Sequence, residues 1–107
     1  MKSIFVSMAA AGLMVTGSAM ATDMPPLAKK LGCAACHSID KKIVGPAWME
    51  VSKKYKGDPK AEAKLISKVS VGGSGVWGKV PMPAIDAAGK KQDEIKQLVQ
   101  FILALDK

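Results

Sequence analysis

The amino-acid sequence predicts an all-α domain of about four short helices, and three features carry this prediction. Apolar residues recur with helical spacing near the carboxyl end and, separately, at intervals of four in the middle of the chain. No run alternates apolar and polar residues over the length of a strand. We therefore expect helices and no sheet.

The first segment, residues 1–21, predicts a cleaved export signal rather than part of the fold. Lys2 precedes an apolar run from Ile4 to Gly17, and Ala19-Met20-Ala21 is the small-x-small pattern that signal peptidases cleave. The apolar run is shorter than the roughly 20 residues that a membrane-spanning helix needs. We therefore expect residues 22–107 to form one exported domain with no stable membrane insertion.

The expected helices of this domain occupy residues 27–32, 47–55, 58–70 and 91–105. The first runs into the two cysteines of the chain, and the second follows Gly45-Pro46 and ends before Gly57. The third opens with Asp58-Pro59, which predicts an N-cap followed by proline at the first helical position.

The third and fourth helices have the clearest periodicity. In the third, Ala61, Leu65 and Val69 lie four residues apart and form one apolar stripe. The apolar positions of the fourth have amphipathic spacing. They are Ile95, Leu98, Val99, Ile102 and Leu103. Between these helices, glycines and prolines throughout residues 72–89 exclude a regular helix or a central strand.

The composition leaves this small domain with a thin core. Residues 22–107 contain one phenylalanine, one tyrosine and two tryptophans. A domain of this size buries only about 60% of its unfolded surface. A large apolar prosthetic group would supply the missing core material.

The positive charge of the chain comes from lysine alone. All 16 basic residues are lysines, and the net charge is +7. Proteins that bind nucleic acid favour arginine forks and interleaved aromatic side chains, so we expect no nucleic-acid partner. The charge fits an acidic protein partner, or a solvated lysine-rich surface without a partner.

The reactive side chains are concentrated in Cys33-Ala34-Ala35-Cys36-His37, which holds both cysteines and the only histidine. CxxCH is the signature for covalent attachment of c-type haem. Two thiols separated by two residues can each reach one porphyrin vinyl group. Attachment at both thiols then brings the imidazole of the next residue beneath the iron. We predict one covalent haem c, with thioether bonds to Cys33 and Cys36 and with His37 as an iron ligand.

Three other interpretations of the cysteine pair are weaker. A thioredoxin-like dithiol would follow a strand in an alternating strand-helix fold, and no such strand is predicted. A disulfide is chemically feasible in an oxidising compartment, but closing so short a loop adds little stability. A zinc site would use four cysteine or histidine ligands, and the sequence has three.

The second axial ligand of the iron decides the chemistry. A methionine thioether raises the potential and suits electron transfer, whereas an empty position suits gas binding or peroxide chemistry. The exported domain offers Met24, Met49 and Met82. Met82 lies between two prolines, which hold the backbone extended and let a rigid loop present one thioether. We therefore predict that Met82 is the second ligand.

The segments CAACHSIDKKIVGPA and GGSGVWGKVPMPA resemble the small bacterial monohaem cytochromes c of class I, over residues 24–107. The resemblance implies a class I cytochrome c fold, in which about four short helices wrap around one haem and the terminal helices cross. It implies His37 and Met82 as axial ligands. It also implies that the Pro46 carbonyl accepts a hydrogen bond from the His37 ring.

The same resemblance assigns further residues. Trp77 and Lys68 would contact a haem propionate, whereas Trp48 and Tyr55 would be packing residues. The sequence departs from the family pattern at Ala84-Ile85, where relatives often carry an asparagine that hydrogen bonds the methionine sulfur.

With both axial positions filled, substrate cannot reach the iron. The sequence therefore predicts a periplasmic one-electron carrier, monomeric and not an enzyme. The alternative is a haem-based gas sensor or peroxidase in which Met82 is displaced. By resemblance, an apolar patch would dock acidic redox proteins transiently while nearby lysines steer them. The patch comprises Ala34, Ile43, Val80, Pro81 and Pro83, and the lysines are Lys29, Lys30, Lys41, Lys42 and Lys79.

Overall fold

The computed structural model describes residues 23–106, so the predicted export signal lies outside the described residues. Four α-helices follow one another in this part of the chain: α1 (Pro26–Lys30), α2 (Trp48–Tyr55), α3 (Ala61–Val71) and α4 (Gln92–Leu103). A 3-10 helix, Cys33–Ala35, lies between α1 and α2. Residues 23–106 contain no β-strand, only isolated bridges between single residues. The all-α prediction is confirmed.

The start of α3 differs from the prediction. Asp58 and Pro59 were expected to open this helix, but it begins at Ala61, preceded by Lys60. The Asp58 carboxylate instead accepts a hydrogen bond from the Lys60 backbone N–H at 2.8 Å and closes a turn just before the helix. An aspartate that closes such a turn has the same local sequence as an N-cap, which explains the misplaced start.

The core forms around α4, which packs against α1, α2 and α3. Its residues Ile95, Leu98 and Val99 are almost completely buried. The predicted stripe of α3, residues 61, 65 and 69, is also buried, and α1 contributes the fully buried Ala28. None of the helices in residues 23–106 is long and apolar enough to cross a membrane.

Two irregular segments, residues 36–47 and 72–91, complete the domain. They lie on either side of α2 and α3 in sequence, and both contribute residues to one cleft beside α4. The position of this cleft determines which predicted site residues meet.

Candidate functional site

One cleft brings together all of the predicted site residues. It measures about 1190 Å³, counted out to its open mouth. The predicted residues that line it are Cys33, Cys36, His37, Pro46, Lys68, Trp77 and Met82. Its apolar walls come from α2, α3 and α4, chiefly Val51, Leu65, Val69, Leu98, Val99 and Ile102.

The cysteine motif is shaped by one turn of 3-10 helix. Gly32 precedes this turn with a φ of 81°, the left-handed conformation that glycine adopts without steric cost. The backbone N–H groups of Cys36 and His37 then both donate to the Cys33 carbonyl, at 3.1 and 2.9 Å. The turn places both cysteines and the imidazole on the cleft.

Cys33 is buried and Cys36 is half-buried, and no disulfide joins the two. Burial raises the pKa of the Cys33 thiol above its ordinary value. A dithiol oxidoreductase needs the opposite, because its nucleophile is a thiolate with a lowered pKa. The surroundings of Cys33 therefore do not favour the redox-dithiol interpretation.

The His37 ring is held on its edge and on its face. Its Nδ1 lies 2.8 Å from the Pro46 carbonyl oxygen. Because a carbonyl can only accept, the neutral ring must carry its hydrogen on Nδ1, which leaves the Nε2 lone pair for a metal. The Trp48 ring stacks on the imidazole, with centroids 5.7 Å apart and planes inclined by 30°.

Gly45 is required for this arrangement. A Cβ at that position would lie 2.5 Å from Cε1 of His37, well inside van der Waals contact. Sequence reasoning identified the Pro46 carbonyl but missed the Gly45 contact, and it treated Trp48 only as a packing residue. Trp48 is indeed buried, and it also lines the cleft beside the imidazole.

Met82 is fixed by a two-residue bridge to the chain that follows α3. Its backbone N–H donates to the Gly73 carbonyl and its carbonyl accepts from the Gly73 N–H, both at 2.9 Å. A Cβ on Gly72 would collide with the Met82 carbonyl. From the sequence, these glycines were expected only to interrupt regular structure. In the fold, they let the methionine segment lie directly against the end of α3.

Trp77 and Lys68 also line the cleft. Trp77 is 43% exposed, and the Lys54 Nζ lies 5.7 Å from the centroid of its ring, within cation–π range. Lys68 is half-buried, and its Nζ lies 3.2 Å from the place that a Cβ on Gly73 would occupy. Lys54 was not predicted, because a lysine on an exposed helix face gives no sequence signal.

The residues of the cleft fit a haem in their chemistry. Apolar walls suit the porphyrin, and two thiols suit its vinyl groups. A free imidazole nitrogen and a thioether suit the iron, and an indole N–H with a lysine ammonium suit carboxylates.

Four findings relate the chain to known proteins. A sequence model described as cytochrome c matches residues 16–106. Cytochrome c-551 of Allochromatium vinosum is 49% identical over 79 residues, which are 74% of this chain and 82% of that protein. Cytochrome c-551 of Pseudomonas aeruginosa is 39% identical over 99 residues, 92% of each chain. The crystal structure of wild-type Nitrosomonas europaea cytochrome c552 superimposes with a TM-score of 0.69 at 40% identity, covering 75% of this chain and 96% of that one.

Proposed function

This chain belongs to the cytochrome c family, and from that premise we propose that it carries single electrons in the periplasm through an iron ligated by His37 and Met82. It has the class I cytochrome c fold and one covalent haem c, and it is an electron carrier rather than an enzyme. The ligand residues, the periplasmic role and the acidic partners are the proposed part.

The observation that carries the ligand proposal is the His37 tautomer. The bond from Nδ1 to the Pro46 carbonyl leaves Nε2 unprotonated, in the same cleft as the Met82 thioether and both thiols. Haem iron supplies a one-electron couple between its ferric and ferrous forms when it is bound. In this proposal Cys33 and Cys36 hold the haem through thioether bonds.

Two further residues would act on the haem carboxylates. Trp77 would donate its indole N–H to a propionate, and Lys68 would place its ammonium nearby. Pro46 would act through His37, since a fixed tautomer and orientation strengthen an imidazole ligand.

Docking would use the exposed apolar patch defined above, residues 34, 43, 80, 81 and 83. All five are exposed, including Ile43 at 50% and Val80 at 63%. The five predicted steering lysines are exposed as well. Lys30 is the least available of them, because its ammonium is 2.8 Å from the Glu94 carboxylate. Such a surface fits weak, short-lived contacts with acidic redox proteins by a monomeric carrier.

Export is the remaining part of the proposal, with residues 1–21 removed and residues 22–107 forming the mature domain. Cleavage after the Ala19-Met20-Ala21 pattern would leave Thr22 as the first residue. The mass of the periplasmic product tests this directly, since it should equal that of residues 22–107 plus one haem.

An absorption experiment tests the ligands. The ferric protein should show a thioether-to-iron charge-transfer band, and the ferrous protein should bind carbon monoxide slowly or not at all at neutral pH. Rapid carbon monoxide binding together with the absence of that band would instead indicate a gas sensor with an open iron site.

A further inference from the structure

The chain that leads from Met82 to α4 contains a buried carboxylate. Asp86 is only 6% exposed. Its Oδ1 accepts a hydrogen bond from the Lys90 backbone N–H, and its Oδ2 accepts one from the Lys91 N–H, both at 2.7 Å. No side chain caps α4 at Lys91 itself. Asp86 therefore closes the loop before α4 and satisfies backbone donors next to the first turn of that helix.

The same carboxylate is connected to α3 through one amide. Gln92 Nε2 donates one hydrogen to Asp86 Oδ2 at 2.9 Å and the other to Ser70 Oγ at 2.8 Å. The Ser70 hydroxyl in turn donates to the Ile66 carbonyl at 2.7 Å. Each donor hydrogen of these side chains has its own acceptor, so the three side chains form one hydrogen-bonded network, which we call the Asp86 latch: Asp86, Gln92 and Ser70.

The latch is reinforced by the backbone on the Met82 side. The N–H groups of Ile85 and Asp86 donate to the carbonyls of Val69 and Ser70, at 3.0 and 3.1 Å. Just downstream of Met82, the loop is thus attached to the last turn of α3. At Met82 itself, the bridge to Gly73 attaches the loop to the chain that follows α3.

We propose that Asp86 is a positioning residue for Met82. Through Gln92 and Ser70 it fixes the loop that presents the thioether, and so it sets how readily an external ligand displaces the sulfur from the iron. This inference rests on the proposed function, because it takes Met82 as an iron ligand.

The test compares two aspartates in the haem-loaded protein. Asp58 is the matched control, because it also accepts a backbone N–H in the turn before a helix, yet its carboxylate is hydrogen-bonded to Lys60 and Lys64, between α2 and α3 and on α3, rather than to the loop that follows Met82. Imidazole is the probe, since it competes with a thioether for ferric iron. In Asp86→Ala, we expect the affinity of the ferric protein for imidazole to rise about tenfold or more, because a carboxylate that accepts several hydrogen bonds is lost. The charge-transfer band should weaken in the same variant. In Asp58→Ala both properties should match the wild type.

The measurements separate positioning from general stability. Unfolding in denaturant should become easier in both variants, whereas imidazole affinity should change only in Asp86→Ala. Equal imidazole affinities in all three proteins would overturn the positioning role. A wild type without the charge-transfer band would overturn the proposed ligand set instead, a result that needs no variant.

A gentler variant covers the case in which Asp86→Ala fails to mature. Gln92→Ala removes the amide that joins Asp86 to Ser70 and leaves the carboxylate in place. It should also raise the imidazole affinity of the ferric protein, and wild-type affinity in this variant would contradict the latch.

Discussion

The methionine and the histidine of the cleft are restrained by different kinds of contact. The His37 side chain is fixed at its ring, by the Pro46 carbonyl and the face of Trp48. Met82 is fixed at its backbone, by the pair of hydrogen bonds to Gly73. A thioether is a flexible, weakly hydrogen-bonding group, so the backbone is the part of the residue that the fold can hold. Of the two proposed iron ligands, the methionine is therefore the one that a local change should release first.

Replacement of that methionine gives the most direct test at this scale. In Met82→Ala the iron would lose the proposed thioether ligand, which raises the potential, so we expect a fall in the potential on the order of 0.1 V, within the roughly 0.8 V that axial ligands span. The variant should also bind carbon monoxide rapidly. Potentiometry and ligand-binding kinetics check both results. Met49→Ala is the control, because Met49 is half-buried on α2 and does not line the cleft. A fall in Met49→Ala instead would identify Met49 as the ligand.

At the scale of elements, sequence periodicity predicted α3 and α4 because each buries one apolar stripe. The two earlier helices were expected from their composition and from the residues that flank them. The motif residues could be predicted because CxxCH and the Pro-Met-Pro segment are local patterns in the sequence. The sequence did not predict the latch, since Ser70 and Gln92 are 22 residues apart and only the packing of α3 against α4 brings them together. The close approach of Gly72 to Met82 has the same explanation. Contacts between distant segments leave no periodic or local signal.

A second link between elements joins α2 to the end of α4. The buried Ser52 hydroxyl donates to the Leu103 carbonyl at 3.1 Å and accepts from the Asp106 N–H at 3.0 Å. Ser52→Ala leaves both backbone groups without this partner, so we expect a loss of about 1–3 kcal/mol in the free energy of unfolding. Denaturant titration measures it. Ser67→Ala, at an exposed position of α3, should change stability by less than about 0.5 kcal/mol. Similar losses in both variants would contradict the link.

The carboxyls in the turns before α3 and α4 make the free energy of unfolding depend on pH in the acid range. Hydrogen bonds lower the pKa of the Asp58 and Asp86 carboxyls below the ordinary value. The largest cause is the hydrogen bond from the Lys64 side chain for Asp58 and the hydrogen bond from the Gln92 side chain for Asp86. A lowered folded-state pKa adds stability that is fully present above the ordinary value of about 3.9 and is lost as pH falls through the lowered value.

The stability difference between wild type and Asp86→Asn should follow this dependence. It should be constant from pH 7 to about 5 and should shrink below about 4, where the carboxyl of the unfolded wild type binds a proton, until the folded carboxyl is protonated as well at lower pH. Denaturant titrations at several pH values check this, with Asp58→Asn as a parallel case. A difference that grows as the pH falls would show that the folded-state pKa is raised instead.

At the scale of the whole molecule, the dominant property is a positive field made by lysines alone. The full sequence has a net charge of +7, and of its 16 lysines only Lys2 lies in the predicted export signal. The remaining positive charge attracts acidic molecules over distances longer than any contact, and salt screens that attraction with a Debye length of about 8 Å at 0.15 M. The sequence predicts the net charge that produces this field, because net charge is a matter of composition. The structure adds the location of individual lysines: Lys42 lines the cleft, and Lys79 lies in the exposed segment between Trp77 and Val80.

Electron transfer to small oxidants of opposite charge tests whether these two lysines steer. The rate with hexacyanoferrate(III), an anion, should fall as ionic strength rises, and the rate with a cationic cobalt complex should rise, because screening weakens attraction and repulsion alike. In the double variant Lys42→Gln, Lys79→Gln the salt dependence of the anion rate should weaken.

The control variant, Lys90→Gln, Lys96→Gln, changes the net charge equally at exposed positions outside the cleft. Its salt dependence should stay closer to the wild type, since the charges nearest the haem cleft act on the encounter most strongly. Stopped-flow kinetics provides the measurement, and identical salt dependence in the two double variants would show that total charge, rather than its position beside the cleft, governs the encounter.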